Sequence, residues 1–98
     1  MKKRARIEIV CDILFFIKGE DKGAKPTHIL YKANLSPKLL KRYLGMLLHD
    51  GLIKKVKENK KIRYRITKRG IEFLNRAKSL EKICSIIHLI PYKRKTFS

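Results

Sequence analysis

The stretch ANLSPKLLKRYLGMLLHDG, residues 33–51, decides the fold of this chain. Asn34 tolerates the left-handed backbone conformation that ends many helices. Ser36 is a favoured N-cap residue, and Pro37 suits the first position of a helix. Leucines then recur at helical spacing until Gly51 supplies a stop. The stretch therefore predicts a turn of three or four residues followed by an amphipathic helix, with Leu40, Leu44, Leu47 and Leu48 on its buried face.

Upstream of this stretch, the sequence predicts two more helices. Apolar residues at helical spacing, among them Ile7, indicate a first helix over Ala5–Lys18. The polar, glycine-flanked segment 19–23 is a loop, and residues 25–27 have room for one or two strand residues. We expect Thr27 to cap a short helix over His28–Ala33. That helix, the turn and the leucine-rich helix make a helix-turn-helix arrangement.

Downstream, two short runs predict a β-hairpin. The strands are expected over Leu52–Lys57 and Ile62–Thr67, joined by a loop of residues 58–61. Apolar and basic side chains alternate along the second strand. Ile62, Tyr64 and Ile66 lie on one side, and Arg63 and Arg65 lie on the other. A two-stranded ribbon directly after a helix-turn-helix is a wing.

The remainder predicts a long helix over Lys68–Ile90, with Thr67 as its N-cap and Pro91 as its stop. Apolar residues in this helix keep a four-three spacing, which is typical of a coiled-coil seam. Together with one member of a second apolar row, the candidate interface residues are Phe73, Ala77, Leu80, Ile83, Cys84 and Ile87. A chain of 98 residues makes one domain with a thin core, so burial against a partner subunit would help it.

The charge of the chain points to polyanionic partners. Its 26 lysines and arginines against 8 acidic residues give a formal net charge of +18. Such a protein attracts nucleic acid or an anionic membrane surface. No apolar run approaches the roughly 20 residues of a spanning helix, the longest being 13–17 and 86–90. We therefore expect a soluble, cytoplasmic and nucleoid-associated protein that does not bind a membrane.

The second helix of the motif carries the first group of candidate DNA contacts. With its leucines buried, the exposed side consists of Lys38, Lys41, Arg42 and Gly45. Basic side chains there read guanine or clamp phosphates, and the glycine lets DNA approach closely. A solvated helix face is the alternative. The wing that follows favours DNA, although the absence of Asn and Gln on this face argues against rich base readout.

The wing carries the second group of candidate contacts. Nine basic residues and a single acid, Glu58, lie between positions 54 and 69. Lysines on an exposed strand edge can prevent aggregation through edge-to-edge pairing, but that role accounts for one or two lysines and not for nine basic residues. We expect Lys60 and Lys61 at the tip and phosphate or minor-groove contacts along the ribbon. The candidate wing contacts are Lys54, Lys55, Lys57, Lys60, Lys61, Arg63 and Arg65.

No catalytic, metal or cofactor site is expected from the sequence. The acidic residues are scattered, and no nucleophile signature, ligand spacing or glycine-rich phosphate loop occurs. Cys11 and Cys84 are interpreted as buried thiols, with a disulfide as the alternative. Tyr31 and Tyr43 could either contact the sugar or phosphate groups of DNA or pack in the core or at its rim, and no small-molecule ligand is indicated.

Three segments together resemble a known family: Tyr31–Ser36, Asp50–Ile53 and Tyr64–Gly70. They are similar to small archaeal winged-helix proteins, which include chromatin-associated DNA binders and transcriptional regulators of archaea and their viruses. The resemblance covers nearly the whole chain. It implies a homodimer in which long C-terminal helices pair as an antiparallel coiled coil and two winged heads bind duplex DNA.

The sequence thus predicts a mostly helical α+β protein, a winged helix-turn-helix with a two-stranded wing and a long C-terminal dimerisation helix. Residues 1–67 form the DNA-binding head, to which Lys2, Lys3 and Arg4 add charge, and residues 68–98 form the dimerisation helix and a basic tail. The expected function is that of a non-enzymatic binder of double-stranded DNA, either a transcriptional regulator or an architectural protein. The alternatives are an RNA- or ribonucleoprotein-binding winged helix and a protein–protein adaptor.

Overall fold

The computed structural model describes the backbone of residues 6–88 and the side chains of residues 6–78. Its elements, in chain order, are α1 (Arg6–Lys18), α2 (Pro26–Ala33), α3 (Pro37–His49), β1 (Ile53–Glu58), β2 (Lys61–Ile66) and α4 (Lys68–His88). The two strands form one antiparallel sheet. The predicted fold class is confirmed. The outermost residues of the first and last predicted helices, Ala5, Leu89 and Ile90, lie outside the described residues.

A single core lies between the helices and the hairpin. Ile13 of α1, Ile29 of α2, Leu47 of α3 and Leu74 of α4 are each at most 2% exposed. Ile7, expected on the inward face, is instead 50% exposed, because the buried stripe of α1 starts only one turn later. Burying such side chains is the main stabilising contribution in a domain of this size.

The turn between α2 and α3 forms as the sequence predicts. Asn34 has φ 54° and ψ 55°, the left-handed conformation that ends α2. The Leu35 backbone N–H donates to the Leu30 carbonyl, which satisfies an otherwise unpaired helix end. Ser36 accepts a hydrogen bond at Oγ from the Leu39 N–H at 3.2 Å. The three-residue turn is therefore fixed by local side-chain and backbone chemistry.

The beginning of α2 differs from the prediction. The helix starts at Pro26, and Lys25 occupies the N-cap position without a side-chain cap bond. Thr27 is therefore already inside the first turn and does not cap it. Proline favours this early start because its fixed φ suits the first helical position. The strand residue expected within 25–27 is Ala24, which bridges to Tyr64.

The hairpin is tighter than predicted. Each strand is shifted by one residue, β1 toward the C-terminus and β2 toward the N-terminus, and Glu58 pairs with Lys61. The loop is only Asn59-Lys60, with φ of 52° and 66°. Positive φ at both residues is the signature of a type I′ turn, whose twist matches that of the flanking strands. Lys61 thus lies in β2, and only Lys60 is at the tip.

A small joint connects the end of α3 to the beginning of α4. The Thr67 hydroxyl donates to the Gly51 carbonyl at 2.7 Å and accepts from the Gly70 N–H at 3.0 Å. The predicted N-cap role of Thr67 is confirmed. Gly70 is buried so closely against the Leu52 carbonyl that a β-carbon there would collide with it. We call the cluster of Gly51, Leu52, Thr67 and Gly70 the α3–α4 joint.

Among residues 6–88, no helix is both long enough and apolar enough to cross a membrane.

Candidate nucleic-acid interface

The exposed face of α3 carries the residues that the sequence placed there. Lys38, Lys41, Arg42 and Gly45 are all exposed. The opposite side packs into the core through Leu40, Tyr43, Leu44 and Leu47. Leu48, predicted on the buried side, is only partly buried. The helix therefore presents a cationic surface whose position is fixed by its buried stripe.

Gly45 leaves an open place in the middle of this surface. A β-carbon built at that position would meet no atom within 4 Å. Packing within the protein therefore does not require glycine, while a glycine inside a helix costs roughly 0.5–1 kcal/mol relative to alanine. The open place lies between Arg42 and His49, which are both exposed.

Two large apolar side chains lie along one edge of the same surface. Leu39 is 38% exposed and Met46 is 37% exposed. The sequence reasoning assigned neither to the interface. Their positions, seven residues apart and offset from the buried leucine stripe, are the signal that would have found them.

Cross-strand pairing divides the basic residues of the wing between its two faces. Lys54 pairs with Arg65, Val56 with Arg63, and Glu58 with Lys61, so these side chains share one face. Lys55 pairs with Tyr64, and Lys57 with Ile62, so these lysines lie on the opposite face. All the candidate wing cations except Arg63 are exposed.

Arg63 and Arg65 share a face but differ in their surroundings. The Arg63 guanidinium donates to the Gly23 carbonyl at 3.2 Å and is partly buried. Gly23 has φ 102°, and a β-carbon there would lie 3.0 Å from the Arg63 Cβ and 3.2 Å from the Arg65 Cγ. Arg63 therefore ties the α1–α2 loop to the wing, while Arg65 extends into solvent.

The tyrosines among residues 6–78 differ in exposure. Tyr31 is 78% exposed, so of the two expected roles the place in the core or rim is wrong for it, whereas Tyr43 is buried. Tyr31 extends outward because α2 buries Ile29 and Ala33 on its other side. Tyr64 is buried beneath the wing, and desolvation raises the pKa of its hydroxyl above the ordinary value of 10.0.

The candidate dimer residues are described only in part. Phe73 and Ala77 are partly buried, and Phe73 packs against the core. The side chains of Leu80, Ile83, Cys84 and Ile87 lie outside the described residues.

Cys11, expected to be buried, is half-buried on α1. Within residues 6–78, no group of His, Cys, Asp and Glu side chains is arranged to hold a metal ion.

A family model described as winged helix-turn-helix matches residues 3–85 of this chain. The chain belongs to the winged helix-turn-helix family. The resemblance that the sequence suggested is thereby confirmed at the family level. In this winged helix-turn-helix protein, α2 and α3 form the motif and β1–β2 forms the wing.

A curated archaeal relative matches part of the chain. It is an uncharacterized protein of Methanocaldococcus jannaschii, 41% identical over 56 residues. The match spans 57% of this chain and only 56% of that relative.

Solved structures share the fold at low sequence identity. Sso10a-2, a DNA-binding protein from Sulfolobus solfataricus, superposes with a TM-score of 0.72 at 24% identity, covering 87% of this chain and 86% of that one. BldR, a transcriptional regulator of the same organism, gives 0.70 at 13% identity, covering 92% and 66%. MepR, a Staphylococcus aureus transcription regulator, gives 0.70 at 13%, covering 90% and 68%. These likenesses show the winged-helix architecture.

Proposed function

We propose that this winged helix-turn-helix protein binds duplex DNA as a non-enzymatic transcriptional regulator or architectural protein. The observation that carries the proposal is the exposed face of α3, where Lys38, Lys41 and Arg42 surround the open place at Gly45. A major groove about 12 Å wide admits a helix, and the missing side chain lets a base edge or backbone approach the helix closely. The DNA-binding or regulatory roles described for Sso10a-2, BldR and MepR support the same proposal.

In this proposal, the wing binds the flanking sugar-phosphate backbone. Seven lysines and arginines of the hairpin stand against one acid, Glu58. Neutralising phosphates releases condensed counterions, so affinity falls steeply as salt rises. The contacts are assigned to Lys54, Lys55, Lys57, Lys60, Lys61 and Arg65, with Arg63 holding the wing in place. Lys38, Lys41 and Arg42 enter the major groove.

Residues 1–67 act as the DNA-binding head, and residues 68–98 pair two copies into a homodimer. The four-three spacing of Phe73, Ala77, Leu80, Cys84 and Ile87 supports this pairing, with Ile83 beside the seam. We expect Leu80→Glu to sediment as a monomer at concentrations where the unmodified protein is a dimer, because a charge in the seam is costly to bury. A dimer that survives the substitution would place the interface elsewhere.

The DNA proposal is tested by fluorescence-anisotropy titration of a random-sequence duplex at about 50 and 200 mM salt. We expect tight binding at low salt and a steep loss at high salt. Arg65→Ala should flatten the slope of log affinity against log salt by about 0.9, the contribution of one phosphate contact.

The matched control for this titration is Lys18→Ala, which removes an exposed cation at the end of α1 and should leave the slope unchanged. Duplex RNA, added as a competitor, should displace the DNA only weakly. Absence of DNA binding at low salt, or stronger binding of the RNA, would refute the proposal.

A further inference from the structure

We infer that Leu39 and Met46 contact the 5-methyl groups of thymine, so that this protein prefers duplexes rich in A·T pairs. The inference rests on the proposed DNA-binding function and adds a base preference to it. The sequence alone argued against rich base readout, because the recognition face has no Asn or Gln. The structure adds two exposed apolar side chains to that face.

Their placement makes them part of the recognition surface. Leu39, Arg42 and Met46 are three and four residues apart, so they line adjacent turns of α3 on one side. Gly45 follows Arg42 by three residues, so Arg42 lies between the open place at Gly45 and the apolar edge formed by Leu39 and Met46. An object that binds over Arg42 therefore comes near both.

The cations around Leu39 and Met46 indicate which kind of molecule contacts these two side chains. An apolar protein surface docked on this edge would also cover Lys38 and Arg42, and burying unpaired cations is costly. The major groove offers the required combination, since phosphates on its rims balance the cations and thymine methyl groups on its floor are apolar. Contact with the thymine methyl is the way in which an apolar side chain reads a base in this groove.

The spacing of the two side chains suits successive bases. Seven residues of α-helix rise about 10.5 Å, close to three steps of about 3.4 Å along a DNA strand. Two methyl groups a few base pairs apart therefore fall within reach of one edge of α3. Arg42, between them, remains available for a guanine or a phosphate.

The experiment compares two duplexes that differ only in those methyl groups. One pairs an oligo(dA) strand with an oligo(dT) strand, so that one strand has a thymine at every step, and the other has deoxyuridine in place of every thymidine. Burial of one methyl group is worth about fourfold in affinity, so two contacts predict roughly 15-fold weaker binding to the uracil duplex. A Leu39→Ala/Met46→Ala double variant should bind both duplexes equally, and each single variant should retain about a fourfold ratio.

Two controls make the result decisive. Ile7→Ala removes an exposed apolar side chain of α1 and should keep the roughly 15-fold ratio. Thermal melting should show that the α3 variants are folded, since neither side chain is in the core. Equal binding of both duplexes by the unmodified protein would overturn the inference while leaving DNA binding intact. A roughly 15-fold ratio that persists in the double variant would also overturn it. Failure to bind either duplex would instead refute the proposed function.

Discussion

The centre of α3 and the tip of the wing depart from local backbone preference in opposite ways. At Gly45, the helix lacks a side chain where alanine would be more favourable and where space is free. At Lys60, the turn carries a side chain at φ 66°, where glycine would be more favourable. Under the proposed function, the first departure opens a place for DNA, and the second projects a charge toward it.

Each position thus carries the residue type that its backbone disfavours. A non-glycine residue in the left-handed region costs on the order of 1–3 kcal/mol, and a helical glycine costs about 0.5–1 kcal/mol. Neither cost is offset by a described contact within the protein. Conflicts of this kind are expected where selection acts on binding rather than on stability.

The largest effect is expected at Gly45. Gly45→Ala should raise the free energy of unfolding by about 0.5–1 kcal/mol, because the new methyl group meets nothing and the helix gains propensity. In the proposed complex, the same methyl group would enter space that DNA occupies, where overpacking costs about 1–3 kcal/mol, so affinity should fall by about tenfold. Denaturant unfolding and anisotropy titration measure the two changes. A variant that is more stable and binds DNA as tightly as before would show that the open place has no role in binding.

A smaller effect of the same kind is expected at Lys60. Lys60→Gly should stabilise the hairpin by about 1 kcal/mol through relief of the left-handed conformation. It should also weaken DNA binding several-fold and flatten the salt slope by about 0.9, since one phosphate contact is lost. Lys60→Asn separates the two causes, because asparagine tolerates positive φ and carries no charge. If the salt slope stays constant in both variants, the tip does not reach phosphate.

The smallest effect, with the opposite sign, is expected at Glu58. This residue is the acid that pairs with Lys61 beside the tip. Glu58→Gln removes a negative charge from the cationic wing, and affinity for duplex DNA should rise by about twofold at low salt, less at high salt because of screening. The free energy of unfolding should change little, because an interaction between exposed charged side chains is worth less than about 1 kcal/mol. Lower affinity would mean that Glu58 positions the wing.

The sequence predicted the fold wherever local chemistry decides it. Asn34, Ser36 and Thr67 act through hydrogen bonds or backbone conformations within a few residues, so residue type alone was sufficient. The predicted start of α2 was wrong because Thr27 was taken as the N-cap, whereas the helix begins one residue earlier, at Pro26. The hairpin loop was drawn too long because neither Asn59 nor Lys60 is glycine, the usual marker of a two-residue turn.

The candidate site was predictable in outline, because the charges and the leucine stripe together define the exposed face of α3. Two features required the tertiary structure. The bond from Arg63 to Gly23 joins residues 40 positions apart, which no local pattern reveals. The exposure of Leu39 and Met46 depends on how α3 packs into the core, since the composition of the helix is compatible with several buried faces.

The α3–α4 joint would influence the spacing between the two DNA half-sites that the proposed homodimer contacts. Thr67 and the close seat of Gly70 on Leu52 leave the recognition helix and α4 little freedom to turn against each other. The 21 residues of α4 span about 32 Å, close to the 34–36 Å of one turn of the double helix. Because the α3–α4 joint is rigid, a change in the crossing angle between two copies of α4 would shift both recognition helices along the groove. The pairing of α4, rather than the heads themselves, would then set the gap between half-sites.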